Sequence, residues 1–486
     1  MPETNVDVLV IGGGINGAGI ARDAAGRGLS VVLVEARDLA AATSSASSKL
    51  LHGGLRYLEH YEFRLVAEAL AERETLLRIA RHLTAPLRFV MPHAPGLRPR
   101  WMLRTGLFLY DHLARRSLLP GSKAVRLDAP PYRGSLQPQF VHGFAYSDCR
   151  IDDARLVIAN ALDAAARGAR VLVGTEVLSA RRAGGRWHVR LSTGEELAAA
   201  ALVNATGPWV KRVLEERLGQ PVADAVRLVQ GSHVVLPRLY DGDHAFILQN
   251  DDRRVIFLIP FEDDFTLVGT TEVAVSAGPA LTQPSESEVA YLCRAASRYL
   301  ARSVGPADVL WRYAGVRPLH DDGARDASAV TRDYALRIDD SDRAAPVLSV
   351  FGGKITTYRR LAEQAMERLR RYFPNTRGAW TGARPLPGSD YASAQEVVGH
   401  LKERYRRLPP AVLSGVFRRH GSLAEAVLGD GEAGEHFGAG LTEREVRYFM
   451  EREWARSADD ILWRRSKVGL RLSPPQAARV AQVVGR

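Results

Sequence analysis

Cysteine is nearly missing from this sequence: Cys149 and Cys293 are its only two. Neither sits in a CxxC pair or a His/Cys cluster, which excludes a disulfide framework and gives no metal site, and a reducing compartment fits. No uncharged apolar run approaches the ~18 residues of a membrane span, so the chain is expected to lie on a membrane at most. Its first residues, Met1-Pro2-Glu3-Thr4-Asn5, lack the basic and apolar stretches of a signal peptide, which predicts a cytoplasmic protein. Acidic residues fall short of basic ones, 55 against 66, leaving a net charge of +11. That excess points to nucleic acid, an anionic membrane surface or an anionic small substrate. No aromatic-interleaved basic stretch or reader motif supports the first, so no nucleic acid is expected. The rest is ordinary: 46% hydrophobic and 25% charged over 486 residues, a globular chain of about three domains.

The chain opens as strand, turn, helix, strand. Asp7–Ile11 is a β-branched apolar run suited to a strand buried on both faces, residues 18–25 form a small-residue helix, and residues 29–35 form a second buried strand. Helices are predicted at 62–79, 152–166, 286–302 and 357–370. Val171-Leu172-Val173 and residues 187–191 read as strands of a meander. Residues 232–236, 245–248, 255–259 and 266–268 alternate with turns, the pattern of a separate antiparallel sheet. After Pro385-Leu386-Pro387-Gly388 the strand signals stop. Pro409-Pro410, Thr442 with Glu445, and Ser473 before Pro474 mark helix starts in an all-helical C-terminal domain, residues 388–486.

Gly12-Gly13-Gly14-Ile15-Asn16-Gly17 satisfies G-x-G-x-x-G. Alone that pattern is weak. Here a strand precedes it, a helix follows, and Glu35 ends the next strand, so a dinucleotide loop is the strong reading. Glycines let the backbone approach a pyrophosphate, the helix start offers free N–H groups, and Glu35 can accept from a ribose. The loop does not choose between NAD and FAD.

A second group of motifs makes that choice by resemblance. Thr43-Ser44-Ser45-Ala46-Ser47-Ser48-Lys49-Leu50-Leu51-His52-Gly53-Gly54-Leu55-Arg56-Tyr57-Leu58, with Gly12 to Gly19, resembles the FAD-dependent glycerol-3-phosphate dehydrogenases of the bacterial aerobic respiratory type. The likeness continues through Asn204-Ala205-Thr206-Gly207-Pro208-Trp209, Gly231-Ser232-His233, Gly269-Thr270-Thr271, Gly315-Val316-Arg317-Pro318-Leu319, Thr331-Arg332-Asp333 and Phe351-Gly352-Gly353-Lys354-Ile355-Thr356. It reaches Trp454 and Arg465 and so covers nearly the whole chain. Glu272 departs from it, where Asp is expected, although the carboxylate is kept.

The resemblance implies an α/β fold: a Rossmann-like FAD-binding domain, an antiparallel substrate domain and the helical C-terminal domain. Residues 1–387 form the oxidoreductase region, with FAD-binding parts at about 1–85, 145–215 and 310–370. The substrate- and membrane-facing parts lie at about 86–144 and 216–309. It also implies oxidation of sn-glycerol 3-phosphate to dihydroxyacetone phosphate, with electrons passing from FAD to membrane quinone, at the inner face of the cell membrane, in a homodimer. Within the same flavoprotein class, an oxygen-using oxidase of glycerol 3-phosphate or an amino acid is the alternative. An amino acid predicts one Arg for its carboxylate, not several cations.

A phosphate dianion with a secondary alcohol needs fixed cations and a base. Arg317, between a glycine-led turn and Pro318, and Lys354, after Gly352-Gly353, are the best-embedded cations. The resemblance adds Arg56 and Arg332. His233 is the first candidate base and His52 the second, with a plain hydrogen-bonded histidine equally open for both. Thr270 and Tyr57 orient the substrate hydroxyls or the flavin edge. Ser44, Ser45, Ser48 and Lys49 are expected at ribityl and phosphate groups. Gly53, Gly54, Val177, Gly207, Trp209, Gly315, Gly352, Gly353, Lys354, Ile355 and Thr356 complete the cofactor set. Gly352-Gly353 before a helix brings backbone N–H groups to the pyrimidine edge, where negative charge gathers on reduction.

Residues 98–116 hold five Arg and one acid, Asp111. At helical spacing Met102, Leu103, Gly106, Leu107, Leu109, Tyr110 and Leu113 share one arc. Arg100, Arg104, Thr105, Asp111, His112, Arg115 and Arg116 share the other, with Trp101 and Phe108 intruding. Two readings stand: an interfacial helix on anionic lipid, or a helix packing its apolar arc on the core.

Overall fold

The computed structural model describes residues 4–93, 98–222, 226–252, 254–276, 278, 282–320, 333–341 and 344–485, apart from the side chains of Arg56, His60 and His320. Its first sheet grows from the opening unit. Strand β1 (Thr4–Ile11), helix α1 (Ile15–Gly26) and strand β2 (Val31–Glu35) wind as a parallel βαβ unit. The strand order is Ala335–Asp339, Val347–Phe351, Glu196–Asn204, β1, β2, Arg170–Val173. Every pairing in that path is parallel except the first. Val8, Leu9 and Val10 are wholly buried, as expected where both faces are covered. Helices α1, Asp153–Ala166 and Tyr358–Leu369 cover one face. The antiparallel strands Val177–Ala183 and Arg186–Leu191, with buried Trp187, help fill the other. Gly19 permits the close helix pairing, because a Cβ there would lie 2.8 Å from the Tyr358 ring.

The second sheet has ten strands. Val226–Pro237 is its centre, paired antiparallel with Phe265–Gly269 on one side and Trp311–His320 on the other. Val255–Phe261, Ala245–Gln249, Thr84–Pro92 and His142–Ile151 follow outward. Even-numbered residues of the central strand, such as Val234 and Leu236, pack toward helix Glu286–Ser297. The odd-numbered Val235 packs on the opposite face, with helices Phe63–Ile79 and Arg100–His112.

Residues 394–484 form the helical domain, with a small hairpin, His436–Gly438 and Leu441–Thr442, inserted among the helices. The hairpin departs from the all-helical expectation: its strands are too short to leave a period-two pattern. Thr442 caps the next helix through Glu445 N, and Ser473 with Gln476 caps the last. This domain docks through buried charge. Arg465 grips Asp38 in two 2.7 Å contacts, Lys467 reaches Asp152, and Arg155 pairs with Glu453. Trp463 stacks on Trp311 of the second sheet.

Three expectations change. Arg170–Val173 is no meander strand but the parallel edge of the nucleotide sheet, beside β2. Thr84–Pro92 and His142–Ile151 are long paired strands that were not among the predicted elements. Strand Trp311–His320, placed with the FAD-binding part by the resemblance, pairs in the second sheet, and among the described residues the first sheet resumes at Ala335–Asp339. Among the described residues no helix is long and apolar enough to cross a membrane.

Candidate active site

The nucleotide end is built by glycines that cannot be replaced. Gly12 has φ +108°, and a Cβ there would lie 2.6 Å from Ala205 O. At Gly17 a Cβ would lie 1.9 Å from Gly12 O. No side chain of the N-cap residue, Gly14, caps α1, and Ser44 Oγ accepts from Ile15 N at 3.0 Å. Glu35 is pinned beside this loop, accepting from Gly13 N at 2.7 Å and Arg37 N at 2.8 Å. Val177 is buried in the core cluster beside β2. Gly207 (φ +57°) and half-buried Trp209 form the turn after Glu196–Asn204.

A second glycine turn meets the first. Gly352 and Gly353 have φ +77° and +100°, and Asn16 Nδ2 donates to Gly352 O at 3.1 Å. The start of α1 and the turn leading into Tyr358–Leu369 therefore meet, bringing two partial positive helix ends to the same region. Asn16 Oδ1 is buried there without a hydrogen-bond partner among the described residues. Such an orphaned acceptor, two glycine cradles and two helix starts fit a dinucleotide that brings its own donors and negative charge. Thr356 Oγ1 accepts from His52 N at 3.3 Å, and Ile355 begins the turn before the helix. Gly53 N donates to Tyr110 OH, and Gly54 (φ +80°) leaves room only for Tyr57. The Lys354 ammonium stands 3.8 Å over the Tyr57 ring, a cation–π contact.

The reactive end lies on one face of the second sheet. Opposed residues in antiparallel strands share a face. His233 faces Tyr313 in the ladder, Gly231 faces Gly315, and Val229 faces Arg317. His233 stacks on Tyr313, ring centroids 4.9 Å apart, and Ser48 Oγ lies 2.8 Å from its Nε2. Gly269 is obligatory beneath it: a Cβ would lie 2.0 Å from His233 Cδ2. Arg317 Nη2 donates to Thr270 Oγ1 at 3.2 Å, and its Nη1 is 3.7 Å from Glu272 Oε1. Burial, with the nearby charges of Arg317 and Lys49, holds the His233 imidazolium well below its ordinary range, so the ring is neutral at pH 7. The turn at Gly352 closes on this strand, a Cβ there lying 3.5 Å from Pro318 O.

The structure thus gathers His233, Ser48, Thr270 and Arg317 in one cluster, and His52, Thr356, Tyr57 and Lys354 along the adjoining turn. Lys49 is placed otherwise than expected. Its Nζ is buried and donates to Asp153 at 2.9 Å and to Ser45 O, because a desolvated ammonium must be paired. Its charge is neutralised inside the protein. Ser45 Oγ donates to Ala42 O within its own turn. Gly315 sits against Ala46. Arg332 and the Arg56 side chain lie outside the described residues. Tyr313 was missed by sequence reading, although Tyr313, Gly315 and Arg317 alternate along one strand, and period-two spacing from Arg317 marks it.

A strand–glycine–helix loop with its ribose acid, a second glycine turn at the reactive end and an antiparallel substrate sheet define a flavin-dependent oxidoreductase. Residues 7–336 match the family described as FAD dependent oxidoreductase, and residues 379–485 match the C-terminal domain of alpha-glycerophosphate oxidase. Among curated proteins the chain is 51% identical to a glycerol-3-phosphate dehydrogenase of Pseudomonas aeruginosa, over 98% of this chain and 94% of that protein. It is 49% identical to the aerobic glycerol-3-phosphate dehydrogenase of Escherichia coli (98% and 96% covered). It is 48% identical to the D-erythritol 1-phosphate dehydrogenase of Brucella abortus (98% and 97%). In fold it resembles the glycerol-3-phosphate dehydrogenase of Bacillus halodurans complexed with FAD, at TM-score 0.74 and 24% identity, covering 100% of this chain and 95% of that one. The chain belongs to the FAD-dependent oxidoreductase family, and its cofactor is FAD.

Proposed function

We propose that this enzyme oxidises sn-glycerol 3-phosphate to dihydroxyacetone phosphate and delivers the electrons to membrane quinone. The observation that carries the reading is the cluster of His233, Thr270 and Arg317 on one sheet face, next to the Gly352 turn. When bound, FAD supplies the two-electron acceptor for the hydride leaving C2. The chain's own residues do the rest. Arg317 and Lys354, with Arg56 and Arg332, bind the phosphate. Thr270 and Tyr57 orient the substrate hydroxyls. His233 takes the C2 hydroxyl proton at Nε2, as C2–H and O–H bonds break and the carbonyl forms, with His52 as the second candidate for that role. Burial is the main reason His233 is neutral, and Arg317 adds to it; a phosphate beside Arg317 offsets that second part and so raises the proton affinity of His233 when substrate is present. Gly14, Asn16 and Gly17 hold the pyrophosphate, Glu35 the ribose, and Gly353 and Thr356 the flavin edge.

His233→Ala tests this: flavin reduction by glycerol 3-phosphate should slow by about 10² to 10⁴. A wild-type rate would pass the role to His52. Relatives of nearly equal identity carry glycerol-3-phosphate and erythritol-phosphate names, so the same experiment with D-erythritol 1-phosphate decides the polyol.

Helix Arg100–His112 supports the membrane reading through its division of labour. Leu107 and Tyr110 are buried on the sheet, while Trp101 is 68% exposed and Phe108 53%. Met102 and Leu109 are exposed beside them, and Tyr61 nearby is 80% exposed. An apolar rim edged by Arg100, Arg104 and Arg115 suits an anionic interface, where quinone is at hand. Arg116 pairs with Asp111 instead. The protein then sits on the inner face of the cell membrane.

A further inference from the structure

We propose that Glu288 is a positioning residue for the reaction, clamping from behind the two backbones that carry His233 and Thr270; the proposal rests on the reading of that pair above. Along Val226–Pro237, Gly231 and His233 face the site, so Gln230 and Ser232 face the other way, toward helix Glu286–Ser297. Glu288 stands in the first turn of that helix. Its Oε1 accepts from Ser232 Oγ and from Thr271 Oγ1, each at 2.7 Å. Its Oε2 accepts from Gln230 Nε2 at 3.0 Å, Ser285 N at 3.0 Å and Ser285 Oγ at 2.9 Å.

The position of the clamp matters more than the number of bonds. Strand Phe265–Gly269 ends where Gly269 faces His233. One residue further, Thr270 must hold its hydroxyl to Arg317 without a regular ladder. Ser232 N donates to Thr271 Oγ1 at 3.0 Å, and Glu288 closes the triangle. A helix cap alone needs only Ser285. The additional bonds to Gln230, Ser232 and Thr271 tie the cap to both neighbours of the reactive pair. Every partner is a donor, which suits an ionised carboxylate. Burial works against that charge, but hydrogen bonds from Ser285, Ser232 and Thr271 outweigh it and hold the carboxyl below its usual range. A glutamine turns an NH₂ toward these donors and breaks the set.

The test is anaerobic single-turnover reduction of the FAD-loaded enzyme by glycerol 3-phosphate, for wild type, Glu288→Gln, Thr271→Ala, the double variant and His233→Ala. Misplacement by a fraction of an ångström should slow each single variant about 10- to 100-fold at a temperature where the variant is fully folded, with flavin content near wild type. The double variant should be no slower than the slower single, because both remove one clamp. Saturation with substrate should not restore the rate. If Glu288→Gln is too unstable, Thr271→Ala carries the same comparison. Wild-type reduction in the folded variants, losses confined to Tm, or slowings that multiply would overturn the clamp. Wild-type reduction in His233→Ala would overturn the site reading beneath it.

Discussion

Gly231→Ala probes the site without replacing a charged group. The glycine faces Gly315 in the central ladder, and its φ is not in the left-handed region, so alanine suits the backbone. Its Cβ would fall 2.7 Å from Arg317 Nη2 and 2.7 Å from Thr270 Oγ1, where ordinary contact begins at 3.4 Å. Each atom must therefore withdraw by about 0.7 Å, the difference of those distances. Both are ends of side chains that can move, so the fold should lose only about 1 kcal/mol. The site cannot adjust so cheaply, because Arg317 and Thr270 are joined at 3.2 Å across that space. Losing a hydrogen bond to a charged group costs about 1.5–3 kcal/mol, roughly a 10- to 100-fold fall in kcat/KM. Anaerobic stopped-flow reduction across glycerol 3-phosphate concentrations measures it. A folded, FAD-loaded Gly231→Ala enzyme with wild-type kcat/KM would refute the placement of Arg317 and Thr270 at the substrate.

Arg317→Ala should act mainly on KM, raising it by up to several kcal/mol of lost charged contact, and unchanged steady-state kinetics would remove it from the site. His244, 5% exposed, is pushed down to about 4 by burial, with Asp243 opposing weakly. Its folded value lies below its unfolded value, so stability is full above pH 6.5 and falls as pH drops toward 4, by about 3 kcal/mol in all. Urea titrations at several pH values should show His244→Gln flattening that slope, and an identical slope would count against it. Replacing Trp101 and Phe108 with Glu should abolish sedimentation with anionic vesicles. Retained binding would place the membrane surface elsewhere.

The parts legible in sequence were those where local chemistry dictates backbone. Gly12 to Gly17, Glu35 and the Gly352-Gly353 turn announced their geometry because only glycine permits it. Gly231-Ser232-His233 and Gly269-Thr270-Thr271 were visible as motifs, but not the steric reason: Gly269 makes room for the His233 ring across a ladder. Register decides that, and register is a long-range property. Strand Thr84–Pro92 escaped because Pro86 and Pro92 break its β-branched pattern, and its partner His142–Ile151 is recognised only through that long-range pairing. Lys49 looked like a phosphate ligand, and only the fold shows Asp153 meeting it from 104 residues away. Glu288 showed only as part of a predicted helix; its partners are brought to it by distant chain, Ser232 on the central strand and Thr271 just past the end of Phe265–Gly269.

The central claim is that one bound flavin takes two electrons from a small polyol phosphate at the His233 cluster. The most direct measurement is the visible flavin spectrum of the purified enzyme under nitrogen, titrated with glycerol 3-phosphate and then with a soluble quinone. The account predicts bleaching by the substrate, stoichiometric dihydroxyacetone phosphate, and recovery of the band on adding quinone. A flavin that stays oxidised with saturating glycerol 3-phosphate, or one that recovers rapidly with oxygen and shows no response to quinone, would contradict it.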